Sequence, residues 1–161
     1  MKLFRRKKKY KGDADKKPAA KLSVKPLEYH PKILLAWAKG IEGNQELLNY
    51  LLENGYKELV MATHAIRLKD KARDWLMENG YPHLMAMINA AEGNKQALSW
   101  LRKNNFHLLY NMARAIDGDA EGFKWINTNS TQEWFYLTKV IKEVKDEIEM
   151  GHNDIHKRST D

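Results

Sequence analysis

Histidines are the side chains in this sequence best suited to chemistry at neutral pH, because imidazole transfers protons and binds metals. His64, His83 and His107 occupy different positions of the repeat described below, and none has an Asp, Glu or Ser partner at a recognised catalytic spacing. With no cysteine, the chain lacks thiolate nucleophiles, thiolate metal sites and disulfides. It also has no glycine-rich phosphate loop. We therefore expect a protein that is not an enzyme and carries no cofactor.

The one spacing typical of metal binding lies near the C-terminus. His152 and His156 are four residues apart with Asp154 between them, so a helix would place both imidazoles on one face. Gly151 and Asn153 disfavour a helix there. We therefore predict no metal site and expect residues 151–161 to form a disordered C-terminal tail.

Positive charge is concentrated at the N-terminus. Twelve of the 28 bases and three of the 21 acids lie in residues 1–32, a net charge of +9, which leaves −2 for the rest. Residues 1–29 show no helical or strand period, so we interpret them as a disordered basic arm. The bases expected to contact an anionic surface are Lys2, Arg5, Arg6, Lys7, Lys8, Lys9 and Lys11.

Two anionic surfaces suit this arm equally well. Nucleic acid would release counterions as its phosphates are neutralised, and an anionic membrane leaflet would attract each base by about 1 kcal/mol. A solubilising tail without a partner is the third alternative. No apolar run approaches the roughly 20 residues of a membrane span, and Met1 to Lys11 lacks the apolar region of a secretory signal. We expect a cytoplasmic protein, peripheral to a membrane or nucleoprotein assembly.

A repeat of 25 residues organises the remainder of the chain. Residue types recur in register at this spacing, and an offset of 24 or 26 destroys the match. The aromatic positions are Tyr50, Trp75, Trp100 and Trp125, then Tyr56, Tyr81 and Phe106. The aliphatic positions are Leu34, Leu59, Leu84 and Leu109, then Leu51, Leu76, Leu101 and Ile126.

Each 25-residue unit is predicted to be a helical hairpin. Apolar residues at 34, 37, 38 and 41 give one helical face, and Glu-Gly-Asn or Asn-Gly phrases supply the turns and caps. One hairpin cannot bury its own apolar face, whereas stacked hairpins can. The predicted fold class is all-α: an α-solenoid of about four to five stacked hairpins over residues 30–150. A long C-terminal capping helix, from Thr131 to Met150, ends it with a charged, solvated face after Val140.

The phrase from Asn44 to Gly55, an amphipathic helix closing on Asn-Gly, resembles the second helix of an ankyrin repeat. The resemblance covers about twelve residues per unit, and neither the ankyrin Thr-Pro-Leu-His opening nor its 33-residue period is present. The chain is therefore interpreted as an α-solenoid of 25-residue helical hairpins that resembles ankyrin only in the second helix of each repeat. The resemblance implies a protein-binding role.

Two rows of residues are candidates for a surface. We assign the row of Trp75, Trp100 and Trp125 to the core. A polar row on the first helices, about 150° from their apolar face, has a mildly apolar row beside it, and this mixture suits a groove that receives a peptide or a helix. The alternative is an ordinary solvated face. The mildly apolar row is Ala36, Met61, Ala86, Asn111 and Tyr136. The residues predicted to bind a partner are Lys39, His64, Asn89, Arg114 and Lys139 of the polar row, with Met61 and Tyr136 beside them.

The sequence predicts a non-enzymatic protein-interaction scaffold or adaptor whose basic arm engages an anionic surface. The alternative is a structural component of a nucleoprotein assembly, ribosome-like or virion-like, whose arm binds nucleic acid. A third hypothesis is an enzyme with an unrecognised site.

Overall fold

The computed structural model describes residues 23–158, with side chains as far as His152. These residues form an all-α fold, as the sequence predicts. The helices are α1 (Pro31–Ile41), α2 (Gln45–Glu53), α3 (Lys57–Ile66), α4 (Asp70–Glu78), α5 (Pro82–Ala91), α6 (Lys95–Lys103), α7 (His107–Ile116), α8 (Ala120–Asn129) and α9 (Gln132–Arg158).

Consecutive helices pair into four stacked hairpins, α1–α2, α3–α4, α5–α6 and α7–α8. Turns within the hairpins use positive φ, which glycine adopts without a Cβ penalty: φ is 113° at Gly43 and 98° at Gly93. Asn44 then caps α2 by accepting a hydrogen bond from the Leu47 amide at 3.1 Å. Leu68, at the position equivalent to Gly43, adopts a φ of 67° even though it has a side chain.

The repeated aliphatic positions form the core, as predicted. In the second helices, Leu51, Leu76, Leu101 and Ile126 all have 0% exposure. In the first helices, Leu34, Leu59, Leu84 and Leu109 have at most 3% exposure. Every unit therefore contributes the same two buried positions, one from each helix, to a continuous hydrophobic core.

The last helix does not continue the stack outward, because α9 packs against α7 and α8 and also against α1. The first helices α1, α3, α5 and α7 contact one another in sequence, so α9 closes them into a ring of five inner helices. Tyr136 marks the closure: its hydroxyl donates to Glu42 Oε1 at 3.1 Å, and Lys39 Nζ lies 5.7 Å from its ring centroid. Helices α2, α4, α6 and α8 form the outer layer.

The apolar stripe of α9 continues past Val140, which corrects the prediction of a solvated face. Ile141 and Val144 are buried, at 2% and 5% exposure, and Ile141 lines a narrow void shared with Ile66 and Ile116. The charged residues between them occupy the other side of the helix. The helix also extends to Arg158, eight residues beyond the predicted end, because adding a residue to an existing helix costs little even at Gly151.

Basic side chains cap the C-terminal ends of three inner helices. Arg67 donates to the Ile41 carbonyl of α1 at 2.6 Å, and Arg73 donates to the Ala65 carbonyl of α3 at 3.1 Å. Lys145 of α9 donates to the Ala91 carbonyl of α5. Cations are favourable at these ends, where carbonyls lack partners within the helix and the helix dipole is negative. The caps therefore tie each of these three inner helices, α1, α3 and α5, to a later part of the chain.

Residues 23–30 form a strap without helical structure that lies on the domain. The Lys25 amide donates to the Gly80 carbonyl at 3.0 Å, and the Tyr29 hydroxyl donates to Glu58 Oε1 at 2.9 Å. The predicted boundary between arm and domain, at residues 29 and 30, therefore falls inside a packed segment. Of the residues interpreted as the basic arm, 1–29, the structure describes those from Ser23 onwards.

We expect Ile141→Ala to destabilise the protein by about 2–5 kcal/mol, because it empties a buried position where α9 meets α3 and α7. Leu35→Ala is the matched control, since Leu35 is 41% exposed on α1, and it should lose less than about 1 kcal/mol. Urea unfolding at pH 7 measures both. Equal, small losses would mean that α9 is not docked.

Candidate functional site

Four members of the polar row predicted to bind a partner lie towards the C-terminal ends of α1, α3, α5 and α7, whereas Lys139 lies in the first half of α9. Three of the row, Lys39, Asn89 and Arg114, bond within the chain. Asn89 accepts a hydrogen bond from Arg73 at 3.1 Å, and Arg73 also pairs with Glu92 at 2.5 Å. Arg114 pairs with Asp119 at 2.7 Å. These residues help to hold the turns, so their polarity has a structural explanation.

The other members of the row differ in exposure. Lys39 and Lys139 are exposed, and Lys39 pairs with Glu42 at 3.2 Å. His64 is half-buried, and its pKa is lowered by burial and then by the nearby Lys69 ammonium. The row is not one open strip, because α9 carries Lys139 back towards α1.

The mildly apolar row beside it does not face outward as predicted. Ala86 and Asn111 are buried, Met61 is half-buried, and Tyr136 is half-buried against Lys39 and Glu42. The ring of inner helices covers this side, since each inner helix has neighbours on two flanks and α9 fills the final position. The protein's own helix thus occupies much of the predicted groove, and partner binding there stays a prediction.

The bases predicted to contact an anionic surface lie outside the described residues. They are Lys2, Arg5, Arg6, Lys7, Lys8, Lys9 and Lys11. The strap fixes where the arm joins the domain, beside Gly80 and the start of α5.

The tryptophan row, Tyr50, Trp75, Trp100 and Trp125, packs on the core from outside. Trp75, Trp100 and Trp125 pack against the core but are only half-buried, so their assignment to the core is confirmed in part. Tyr50, at the same repeat position, is 47% exposed. The fully buried residue of each outer helix is the next one in sequence, such as Leu101 after Trp100. The row therefore presents one aromatic side chain per repeat to solvent along the outer layer.

A chain of stacked rings connects two members of this row. Trp75 stacks on Tyr81 with centroids 6.2 Å apart, Tyr81 on His83 at 6.1 Å, and His83 contacts Phe106 at 5.3 Å. Phe106 in turn stacks on Trp100 at 5.5 Å. Aromatic pairs at these separations add to the stability gained from burial. The stack spans the second and third hairpins at the edge where the strap lies.

The strap contributes one cation, Lys25, and one phenol, Tyr29, to this edge. Lys25 Nζ lies 5.5 Å from the Tyr81 centroid, and Tyr29 packs edge-on against Tyr56 at 6.1 Å. Burial, followed by the Glu58 carboxylate, raises the pKa of Tyr29 well above its usual value, so the phenol remains a hydrogen-bond donor. Repeat position 58 therefore receives a hydrogen bond from the strap.

His83 occupies the same repeat position one unit later, and it has no such partner. The residue is 2% exposed, and neither ring nitrogen makes a hydrogen bond of standard geometry. Burial lowers the pKa of His83 to about 4, an effect that the Lys25 main chain only partly offsets. The imidazole is therefore neutral at pH 7, with one N–H donor and one bare nitrogen.

A pocket of about 380 Å³ lies beside His83. The strap forms one wall, and the start of α7 forms the other. The lining residues are Val24, Lys25, Pro26, Leu27, His83, Asn105, Phe106, His107, Leu108 and Leu109. Sequence reasoning missed this site, although one signal was present: Glu58 and His83 share a repeat position with Leu108.

Among the side chains described, residues 23–152, no cluster of three His, Asp or Glu is suited to a metal ion. His152 and His156 lie four residues apart on α9, on the helix that the sequence had disfavoured. No helix in this part of the chain is long and apolar enough to cross a membrane.

The depressed pKa of His83 predicts a specific loss of stability in acid. Unfolded histidine titrates near pH 6.5, so below that pH the unfolded chain binds a proton that folded His83 resists until about pH 4. The stability is complete above pH 6.5 and declines as the pH falls towards 4. We expect His83→Leu to remove about 3 kcal/mol of the wild-type loss between pH 7 and pH 4. Urea unfolding of both proteins across that range measures the difference, and parallel pH curves would contradict it.

The comparisons with known proteins offer no functional assignment. No family model, curated protein or solved structure matches the chain. Function must therefore be inferred from the surfaces described above.

Proposed function

We propose that this protein is a non-enzymatic interaction scaffold whose outer helical layer binds a protein partner while its basic arm engages an anionic surface. The observation that carries the proposal is the tryptophan row, which runs along all four outer helices at one aromatic residue per repeat. Half-exposed Trp and Tyr side chains on a rigid surface are typical of binding hot spots, because they bury a large area with little loss of side-chain entropy.

Two further exposed apolar side chains lie on the outer helices, on the flank away from the tryptophan row. Leu52 is 49% exposed on α2 and Met77 is 56% exposed on α4, each about 200° around its helix from the member of the row two residues earlier. Exposed apolar groups on the outer layer favour an interface there. The inner face leaves less free surface for a partner, because α9 and the hydrogen-bonded side chains at the turns already occupy it.

The charge around Trp100 favours an acidic partner. Helix α6 contains Lys95, Arg102 and Lys103 and no acidic residue, and Lys95 and Lys103 flank Trp100 in a shallow depression. An apolar residue inserted beside Trp100, with carboxylates on either side, would satisfy both features. We therefore propose that the partner contributes an acidic segment with at least one large apolar side chain.

Single-stranded nucleic acid is the second candidate, favoured by the same pairing of Trp100 with lysines. Base stacking needs an open ring face, however, and the Trp100 ring already stacks on Phe106. Trp75 likewise contacts both Tyr81 and Lys57 Nζ, the latter at 5.1 Å from its ring centroid. This alternative would make the protein a structural component of a nucleoprotein assembly, with the arm as its main contact.

The partner can be trapped with a photo-cross-linking amino acid at Met77, on the outer layer. A second protein carrying it at Met150, 66% exposed on α9, is the control. We expect a discrete protein to be cross-linked in the native host from position 77 alone. Recovery of nucleic acid instead, lost when the chain starts at Ser23 and weakened by salt, would favour the nucleoprotein alternative.

Affinity for the trapped partner then separates the surfaces. Trp100→Ala and Lys103→Glu should each weaken binding by roughly tenfold or more, since a hot-spot residue contributes about 2 kcal/mol. Lys139→Glu is the matched charge reversal on α9, within the polar row, and it should change the dissociation constant less than about threefold. The opposite ranking would assign the partner to the polar row.

A further inference from the structure

The outward face of α9 carries a set of residues that the closed ring does not use. The ring buries Leu137, Ile141 and Val144 on the opposite side of the helix, at 0%, 2% and 5% exposure. At about 100° per residue, the outward set lies within about 50° of a single line along the helix. Within residues 23–158, no outer helix follows α9 to cover this set. Its members are Phe135, Lys139, Lys142, Glu143, Asp146 and Met150.

A groove of about 420 Å³ lies along this face, between α8 and α9. At one end the half-buried Phe123 ring of α8 packs edge-on against Phe135, with centroids 5.5 Å apart. The other lining residues are Lys139, Lys142, Glu143 and Asp146. An aromatic end beside a charged stretch suits a partner that inserts an apolar side chain next to matching charges.

The charges on this face change sign halfway along it. Lys139 and Lys142 come first, and Glu143 and Asp146 follow, so the four charges sum to zero. Half of the face would therefore repel a uniformly acidic segment or a phosphate backbone. A matching partner presents two acids and then two bases along the direction of α9. An antiparallel copy of α9 presents that order.

We propose that this face binds a second copy of the chain, with the two α9 helices antiparallel about a two-fold axis midway between Lys142 and Glu143. Lys139 then lies opposite the partner subunit's Asp146, and Lys142 lies opposite the partner subunit's Glu143. The symmetry repeats both ion pairs, as in any isologous interface. Asp146 already pairs with Lys142 of its own helix at 3.0 Å, so in the dimer it lies between two ammonium groups. A parallel pair would instead place Lys139 against the partner subunit's Lys139.

The same axis brings Phe135 opposite the partner subunit's Met150. Met150 is 66% exposed on its own chain, although it is a large apolar side chain. At the aromatic end of the groove its thioether would contact the rings of Phe123 and Phe135, a favourable sulfur–aromatic arrangement. Apolar contacts would thus close both ends of the interface, with the ion pairs between them.

The expected dimer is weak. One pair of helices buries less than a standard interface, so we expect a dissociation constant of roughly 10–100 µM. The dimer would carry two basic arms, and two linked arms bind an extended anionic surface more tightly than one. This inference does not depend on the tryptophan row, which lies on other helices.

Sedimentation equilibrium of the full chain measures the association. We expect a monomer–dimer equilibrium that weakens as salt is added, because the central contacts are ion pairs at the surface. A chain that stays monomeric at about 1 mM would overturn the proposal.

Charge reversals show whether the dimer uses this face. Lys139→Asp and Asp146→Lys each place like charges opposite one another, so each variant should dimerise at least about tenfold more weakly. An equimolar mixture of the two should form a heterodimer of about wild-type strength, because every reversed side chain then meets an opposite charge. Lys71→Asp, at an exposed site on α4, is the matched control and should dimerise as the wild type does. Dimers that persist in both single variants, or a mixture that stays monomeric, would overturn the proposal.

A photo-cross-linking amino acid at Met150 of the purified protein tests the direction of packing. The product should be two copies of this chain, joined between position 150 of one copy and the segment around Phe123 or Phe135 of the other. Its mass, twice that of the chain, distinguishes it from a trapped partner protein. A cross-link between position 150 and the C-terminal half of α9 in the other copy would contradict the antiparallel arrangement.

Discussion

The structure depends on how α9 packs against α1. Each inner helix has an apolar face too wide for one neighbour to cover, and none of the described hairpins precedes α1. Ile141 and Val144 of α9 bury themselves in the ring, and the Tyr136 hydroxyl bonds to Glu42 at 3.1 Å. A short array of hairpins is thereby stabilised without separate polar caps at its ends, because the last helix covers the first.

Closure of the ring determines which surfaces can bind. Most of the inner face is already in contact with neighbouring helices or with cations that cap helix ends, such as Lys145 on the Ala91 carbonyl. No element within residues 23–158 covers the outer layer, so its aromatic position in each unit stays half-exposed. The strap adds a third feature at the edge between the layers, where it forms one wall of the His83 pocket.

The 25-residue register predicted the hairpins and core positions such as Leu51 and Leu101. A repeat position that is buried in every unit needs an apolar residue in every unit, so the sequence shows it directly. The return of α9 was not predicted: Leu137, Val140, Ile141 and Val144 mark an apolar stripe, but periodicity does not identify the surface that a stripe contacts. The charged residues that lie between these apolar positions made the stripe harder to recognise. The pocket beside His83 was missed because its two walls, the strap and the start of α7, are far apart in the sequence.

The central claim is the closed ring, and a distance between α1 and α9 tests it directly. Lys39 and Lys139 are exposed and occupy equivalent positions four repeats apart, and the chain has no native cysteine to compete for labels. Nitroxides on Lys39→Cys and Lys139→Cys, measured by pulsed electron paramagnetic resonance, report their separation. Ring closure predicts a distance of about 20 Å between the two nitroxides, label arms included, since packed helices are about 10 Å apart. A distance of about 40 Å or more, four interhelix steps along an open stack, would contradict it.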